Sequence, residues 1–494
     1  MLLAGLDIGT TGCKVTVYGA DGEYLDRIYQ DYPVQRSVSA HEVDAEAIWQ
    51  AAKLVLRQAA EKHPGIGGIG ITSFGETFVL LDERDKPLAP AMLYTDSRGD
   101  EECAELVSRL GKEQIIGTTG LNPHSMYSIP KLMWIKRHEP ELYTRAVRAC
   151  LMEDYIVYLL TGNAQIDYSL ATRTMAFDIH TLHWSEDVFR AADVDISLFS
   201  KPVPIGTATG TVKPDVSAVL GLTGSVLVVC AGHDQVAAAI GSGVFDESCA
   251  VDGAGTVECI TPVFEQSDPA MMANGNYSVV PYITPGKYVC YAFSYTGGAL
   301  VKWFVDNLAG YAADNAKKQG HGIYVELEDG WNNAPTGLLV LPHFLGAATP
   351  YMDVGSKGAI LGLTLANTQR DIHFAIMEGV CYEMRLNMER LREAGIEIKA
   401  LRATGGGANS RVWMQMKADI LNVPVTALGS AEAGTAGSAM MVGVAANVFQ
   451  NLNEAARVLV TQRQTYLPRL EVHAAYLSVY ERYKKLYAAV RPLV

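Results

Sequence analysis

The sequence predicts an α/β protein built from two related halves. Apolar runs of strand length alternate along its 494 residues with segments of helical periodicity. A strand–turn–strand unit, with a Gly/Thr turn and an acid at the end of its first strand, occurs twice, over 2–18 and 249–260. Each half then has an apolar strand running into a glycine turn and a helix: 226–231 before Gly232, and 401–404 before Gly405. Such an order of elements is hard to obtain twice by chance. It places a boundary near 241–245 and divides the chain into 1–243 and 244–494. No Pro- or Ser-rich linker lies there, so a shared hinge is expected and not a tether.

The first strand, 2–8, is apolar but for small residues and Asp7. Gly9-Thr10-Thr11-Gly12 is a turn, with glycines where a positive φ is expected. Val15 and Val17 then alternate with polar neighbours, as in a half-buried strand, and 24–32 supplies a third. Asp44 suits the cap of a helix over 45–62, where Ile48, Ala52, Val55 and Ala59 share a face, and Pro64-Gly65 stops it. A buried strand at 69–73 leads into Phe74-Gly75-Glu76-Thr77, and 78–81 returns. The loop 93–99 precedes a helix at 100–110. Residues 111–200 read as mostly helical, punctuated by Pro123, Pro130 and Pro140, with 151–155 opening one helix. Gly232-His233-Asp234-Gln235 leads into a small-residue helix at 236–240. Later, Thr368 and Asp371 suit a capping box, 433–439 is a helix of small side chains, and 472–490 is a C-terminal helix.

Composition, 49% hydrophobic and 19% charged, is that of a globular protein, and no apolar run reaches membrane-span length. The chain starts directly in a strand with no basic leader, so a cytoplasmic protein is expected. A net charge of -14 argues against nucleic acid or an anionic membrane as partner. The 8 cysteines show neither C-x-x-C nor metal-ligand spacing and read as reduced thiols.

Two phosphate-type turns suit a triphosphate, and facing one cleft they would take it from both sides. Backbone N–H groups at Gly9, Thr10 and Thr11, with Lys14, can face terminal phosphates, the alternative being an ordinary hairpin. Gly255 and Thr256 would take the other side. Mg²⁺ would sit between the phosphates and Asp7 or Asp234 through water. No G-x-x-x-x-G-K-[ST] is present, and the first glycine turn enters a strand, so neither a P-loop nor a dinucleotide fingerprint fits. Phosphoryl transfer needs a base for the attacking hydroxyl, and Asp234, heading a helix after an apolar strand, is the candidate. Its competing role is to cap that helix. Glu76, Asp96 and Gln235 are positioned to hold acceptor hydroxyls, and Arg98 to pair with a carboxylate. Asp154 either contacts ligand or caps its helix, while His124 and His233 read as structural. Gly405 to Asn409 can lie flat against an adenine or form an ordinary tight turn.

Together these motifs resemble the FGGY family of carbohydrate kinases along nearly the whole chain. Asp7-Ile8-Gly9-Thr10-Thr11 is similar to its first phosphate motif and Gly253-Ala254-Gly255-Thr256 to its second. Gly232-His233-Asp234-Gln235 is similar to its catalytic motif, which implies Asp234 as the base. Gly405-Gly406-Gly407-Ala408-Asn409 is similar to the adenosine motif, and Gly297-Gly298 with Trp303 to a segment near the nucleotide. The resemblance implies two actin-like (ribonuclease H-like) domains around a cleft, MgATP, and transfer of the γ-phosphate to a primary hydroxyl of a small ketose or polyol. It also implies a homo-oligomer such as a dimer. Tyr94 to Arg98 and Leu80-Leu81-Asp82 look most like xylulokinases, pointing to a ketopentose such as xylulose. Glu76-Thr77 instead resembles the glycerol kinase pattern, with Gly75 in place of that branch's arginine. Gly346 to Pro350 lacks both charges of the family's Gly-Glu-Arg-Thr-Pro. Kinases of glycerol, erythritol or gluconate, an actin-like ATPase without a sugar acceptor, and a sugar sensor without catalysis are the competing readings.

Overall fold

In the computed structural model, which describes residues 1–37, 40–429 and 432–494, the first apolar run forms a central strand, β1 (Leu2–Ile8). It pairs antiparallel with β2 (Gly12–Gly19), which pairs antiparallel with β3 (Tyr24–Asp31). On its other side β1 runs parallel to β4 (Ile66–Ser73). Two more strands, β5 (Ala208–Thr211) and β6 (Leu227–His233), complete the sheet in the order β5-β6-β4-β1-β2-β3. Leu3, Leu6, Ile8, Ile69, Ile71 and Val229 have no exposed surface, as strands covered on both faces require. The helix Ala45–Lys62 is capped by Asp44, whose carboxylate accepts from Glu46 N, and it buries Ile48, Ala52, Val55 and Ala59 completely.

A second helix, Ala433–Ala445, lies directly on β1 and β4. Its small side chains let backbones nearly touch: a Cβ on Gly5 would stand 2.1 Å from Thr435 O, and one on Gly437 2.0 Å from Ala237 O. These elements belong to one compact unit of residues 1–245, 278–289 and 432–460; residues 246–277, 290–431 and 461–494 form a second.

The second unit repeats the plan. Strands β7 (Ala250–Ala254) and β8 (Glu258–Phe264) are antiparallel, and β9 (Ala292–Ser294) extends β8. Parallel to β7 runs β10 (Leu401–Thr404), then β11 (Val425–Leu428), with β12 (Gln462–Tyr466) antiparallel beside it. The path β9-β8-β7-β10-β11-β12 has the strand directions of β3-β2-β1-β4-β6-β5. The helix Gln369–Glu393 starts with the expected reciprocal capping box of Thr368 and Asp371.

Several local expectations are corrected. Neither Gly9 nor Gly12 has a positive φ. Gly12 is required for space, since a Cβ there would stand 2.8 Å from the backbone oxygen of Gln30. Residues 111–200 are mostly helical, as expected, and also hold short strands, of which Arg148–Leu151 pairs with Phe78–Leu81. Pro130 lies in the first turn of Ser128–His138, where no N–H is needed, and does not interrupt it. The C-terminal helix is two, Leu470–Tyr483 and Leu486–Val490, and the break accompanies the stacking of Tyr487 on Tyr351. Strand β6 extends to His233, so Asp234 is the first residue of the helix Asp234–Gly241.

Candidate active site

In the first unit the register aligns Asp7, Thr72 and Gly232 across β1, β4 and β6. The residues that follow, Gly9 to Gly12, Phe74 to Thr77, and Asp234, therefore leave the sheet at one edge. The ladder shifts between Cys230 and Gly232, and Gly232 takes a φ of 91°. Such a bulge re-aims the chain at the point where it delivers Asp234.

This backbone is braced from below. Gly232 N donates to Glu153 Oε1 at 2.9 Å, and Ser169 Oγ accepts from His233 N at 2.9 Å while donating to Asp167 Oδ1 at 2.5 Å. Glu153 and Asp167 have no exposed surface; burial pushes both carboxyls up, helped at Glu153 by the charge of Asp167 and opposed at Asp167 by hydrogen bonds from Ser169 and Glu153. Asp234 itself is not the cap of its helix, which has no side-chain cap. Its side chain keeps 35% of its surface, and burial of its surroundings pushes its pKa up to about 6 against the pull of Arg173 and Lys14. His233 Nε2 lies 3.3 Å from Asp234 Oδ1, and burial, aided by Arg173, lowers its pKa to about 3, so the ring is neutral at pH 7.

The first glycine turn is pinned from both sides. Tyr32 Oη donates to Gly9 O, and Tyr32 N to Thr11 O at 3.1 Å. Thr10 is half-buried and bonds the Tyr94 hydroxyl, while Thr11 is exposed. Lys14 Nζ stands 3.2 Å from Asp7 Oδ2 and 3.0 Å from Glu432 Oε2. Burial works against the Lys14 charge, but these carboxylates outweigh it and raise its pKa. Burial raises Asp7 as well, against the pull of Lys14.

Of the acceptor candidates Gln235 is half-buried and the others are buried. Glu76 lies at the edge with a left-handed φ of 64°, paired to Arg173, and Gln235 is half-buried beside Asp234. Thr77 is fully enclosed behind Glu76. Asp96 turns inward: Arg98 Nε donates to Oδ1 at 2.9 Å and His41 N to Oδ2 at 2.8 Å, and its side chain has no exposure. Arg98 also reaches Glu42, and the fully buried Lys131 donates to Asp96 O. Asp96 thus organises its loop. Asp154 is closed off in the core, where Ser200 Oγ donates to it at 2.6 Å and burial lifts its pKa to about 7.

In the second unit the pairing of Gly253 with Thr404 brings the turn after β7 beside the turn after β10. Gly405 has a φ of 88°, and a Cβ there would stand 2.7 Å from Ala254 O. The two turns and the helix Gly298–Leu308 border a cavity of about 890 Å³. Gly255, Thr256, Gly298, Gly406, Gly407 and Asn409 line it, with Trp303, Tyr324 and Trp413 as aromatic walls. Ala408 does not reach it and is buried behind the turn. Arg463 Nη1 donates to Asn409 Oδ1 at 2.7 Å and fixes that side chain. Beneath the turns Lys417 ion-pairs with Asp252 at 2.5 Å and with Glu258, all three buried.

Sequence reasoning did not find Arg173, Glu432, Glu153 or Lys417. Each acts on a partner far along the chain and has no local pattern around it; extreme burial of a charged residue marks Arg173, Glu153 and Lys417, and Glu432 is half-buried. Tyr94 could have been found, since it stands two residues before Asp96 in a loop already singled out.

Residues 2–241 match the N-terminal domain model of the FGGY family of carbohydrate kinases, and residues 253–446 match the C-terminal domain model. The chain is 26% identical to a xylulose kinase of Staphylococcus xylosus, over 98% of this chain and 99% of the relative. It is 30% identical to a glycerol kinase of Halorhodospira halophila, over 90% of this chain and 89% of the relative. The crystal structure of xylulose kinase from Rhodospirillum rubrum matches with a TM-score of 0.88 at 25% identity, covering 100% of this chain and 99% of that one. The repeated sheet is that of the two actin-like, ribonuclease H-like domains of such kinases. Phosphotransfer from ATP to an alcohol group of a sugar follows from membership: this chain belongs to the FGGY family of carbohydrate kinases.

Proposed function

We propose that this kinase transfers the γ-phosphate of ATP to a primary hydroxyl of a small, uncharged ketose or polyol, with a ketopentose such as xylulose as the leading acceptor. The observation that carries the reading is Asp234: it heads a helix on a braced bulge, stays partly open, and is ionised at pH 7 with a pKa of about 6. Asp234 accepts the proton of the acceptor hydroxyl as that oxygen attacks the γ-phosphorus. The bond from phosphorus to the bridging oxygen breaks, and its electrons leave with ADP. Glu76 and Gln235 hold neighbouring hydroxyls, with Thr77 and Asp96 shaping the loops behind them. Residues 1–243 carry this chemistry with the phosphate turn of Gly9, Thr10, Thr11 and Lys14, and the helix Ala433–Ala445 supports it. Residues 244–494 otherwise serve the nucleotide, through Gly255, Thr256, Gly298, Gly406, Gly407 and Asn409.

The uncharged acceptor follows from the cations. Lys14, Arg98 and Arg173 are each held by carboxylates, which disfavours a sugar acid. Mg²⁺ fits through its waters: Asp7 and Asp234 share one edge, and Gly434 keeps the space beside them open, a Cβ there lying 3.8 Å from Asp7 Oδ2. Among the described residues no group of three or more His, Cys, Asp or Glu side chains could hold the ion directly. When bound with ATP, the ion neutralises phosphate charge. Eight free cysteines agree with a reducing, cytoplasmic setting.

ADP release with MgATP against xylulose, ribulose, erythrulose, erythritol, glycerol and gluconate tests the reading, with Asp234→Ala as the blank. A ketopentose is expected to stand well above the rest. Gluconate as the best acceptor would overturn the uncharged-acceptor reading.

A further inference from the structure

Beside Asp234 lies a buried ion pair whose two members are 97 residues apart in the chain. Gly75 makes room for it. A Cβ on Gly75 would meet Arg173 Cγ at 2.9 Å, Arg173 Cβ at 3.2 Å and His233 Cδ2 at 3.3 Å. The stem of Arg173 therefore occupies the space that a side chain at 75 would need. Arg173 closes the short helix Tyr168–Thr172, and its guanidinium lies over the Tyr127 ring at 5.2 Å. Its Nε donates to Glu76 Oε1 at 2.6 Å, and its Nη2 reaches the same oxygen. Glu76 is itself fixed, its carbonyl accepting from Ser128 Oγ at 2.6 Å. The two side chains are 7% and 6% exposed.

Two features make this pair more than a strut. The two bonds that the guanidinium gives to Glu76 fall on Oε1, so Oε2 is left to accept from a ligand hydroxyl. The pair also stands close enough to the proposed base for the Arg173 charge to act on Asp234 and His233. A carboxylate whose one oxygen is clamped by a guanidinium presents its other oxygen as an acceptor at a fixed position. That arrangement reads a hydroxyl donor at one position of the acceptor, and it leaves a buried carboxylate oxygen unpaired when the hydroxyl is missing.

We propose that Arg173 determines acceptor specificity in this kinase, by fixing the Glu76 carboxylate so that its Oε2 accepts from one hydroxyl of an uncharged acceptor. This rests on the acceptor-site reading above. Arg173 is a positioning residue toward Glu76. It is not assigned the proton transfer.

The test is a set of steady-state constants for xylulose and glycerol with MgATP, in wild type, Arg173→Met, Arg173→Lys and the double variant Arg173→Met/Glu76→Gln. In Arg173→Met the KM of the better acceptor is expected to rise about tenfold or more, with the KM of ATP unchanged. The double variant, which also removes the stranded carboxylate charge, is expected to be no worse than Arg173→Met. Added guanidinium chloride is expected to restore part of the acceptor affinity to Arg173→Met and none to wild type. If Arg173→Met does not fold, Arg173→Lys, which keeps the charge and loses the fork, carries the same criterion. An unchanged acceptor KM in a folded variant, or acceptor and ATP KM rising together without guanidinium rescue, would overturn the inference. Sugar phosphorylation persisting in Asp234→Ala would instead count against the acceptor-site reading itself.

Discussion

Asp234 and Glu153 are acids at the same turn with opposite requirements. The role proposed for Asp234 requires an ionised carboxylate, and its pKa of about 6 sets where that role is available. Below that value the carboxyl is protonated and cannot act as base. We therefore expect kcat to fall about tenfold per pH unit below 6 and to be level from 7 to 8, a limb that a pH–rate profile reads directly. A limb near 4 would contradict the environment described for Asp234. Glu153, in contrast, is wholly buried against Asp167 and holds Gly232 N. Burial raises its pKa, so the folded protein keeps a proton that the unfolded chain releases above the ordinary Glu range near 4.5. Stability from this group is full below that range and is lost as pH rises toward the folded value. Glu153→Gln can still accept from Gly232 N and can donate to Asp167 permanently. Its melting temperature should fall less steeply than that of wild type between pH 5 and 8, while kcat at pH 7 changes little.

At the scale of elements, the helix Ala433–Ala445 fixes the position of the proposed base. It packs on β1 and β4 and crosses the helix that Asp234 heads, with Gly437 and Gly241 at the crossing. A Cβ on Gly241 would stand 1.9 Å from Ala433 O, and the obstacle is backbone, which cannot rotate away. Gly437→Ala should therefore destabilise the protein by about 1–3 kcal/mol through overpacking, measurable by urea denaturation, and lower kcat by displacing the Asp234 helix. The small residues of 433–439 were legible as a close-approach helix because composition alone permits contact between backbones. Which backbones meet was not legible. The helix 45–62 was equally plain, because its cap, face and stop all agree locally. The short strands within 111–200 were hidden: runs such as Arg148–Leu151 are too short for a period, and their pairing with Phe78–Leu81 is set by chain 70 residues away. The split at 484–485 follows from tertiary contacts of Tyr487, which helical periodicity does not register.

For the whole molecule, the same strand order in both units explains why so much of the site could be read early. In each sheet the proposed site segments sit where strands end, so motif and position coincide in the sequence: Asp7 to Thr11, Gly232 to Gln235, Gly253 to Thr256 and Gly405 to Asn409. What the sequence concealed is the set of partners that reach these ends from elsewhere. Glu432 holds Lys14, Arg173 holds Glu76, and Lys417 holds Asp252 and Glu258, each across more than ninety residues. Asp96 shows the reverse error of emphasis: its loop is central, yet its carboxylate is consumed by Arg98 and His41 N. The central claim remains the role of Asp234. The measurement that tests it most directly is the rate of acceptor phosphorylation by Asp234→Asn beside wild type at pH 8, with ATP binding followed in parallel. Loss of rate by about 10²- to 10⁴-fold with ATP affinity retained is the predicted result. Phosphorylated sugar formed at close to the wild-type rate would contradict it.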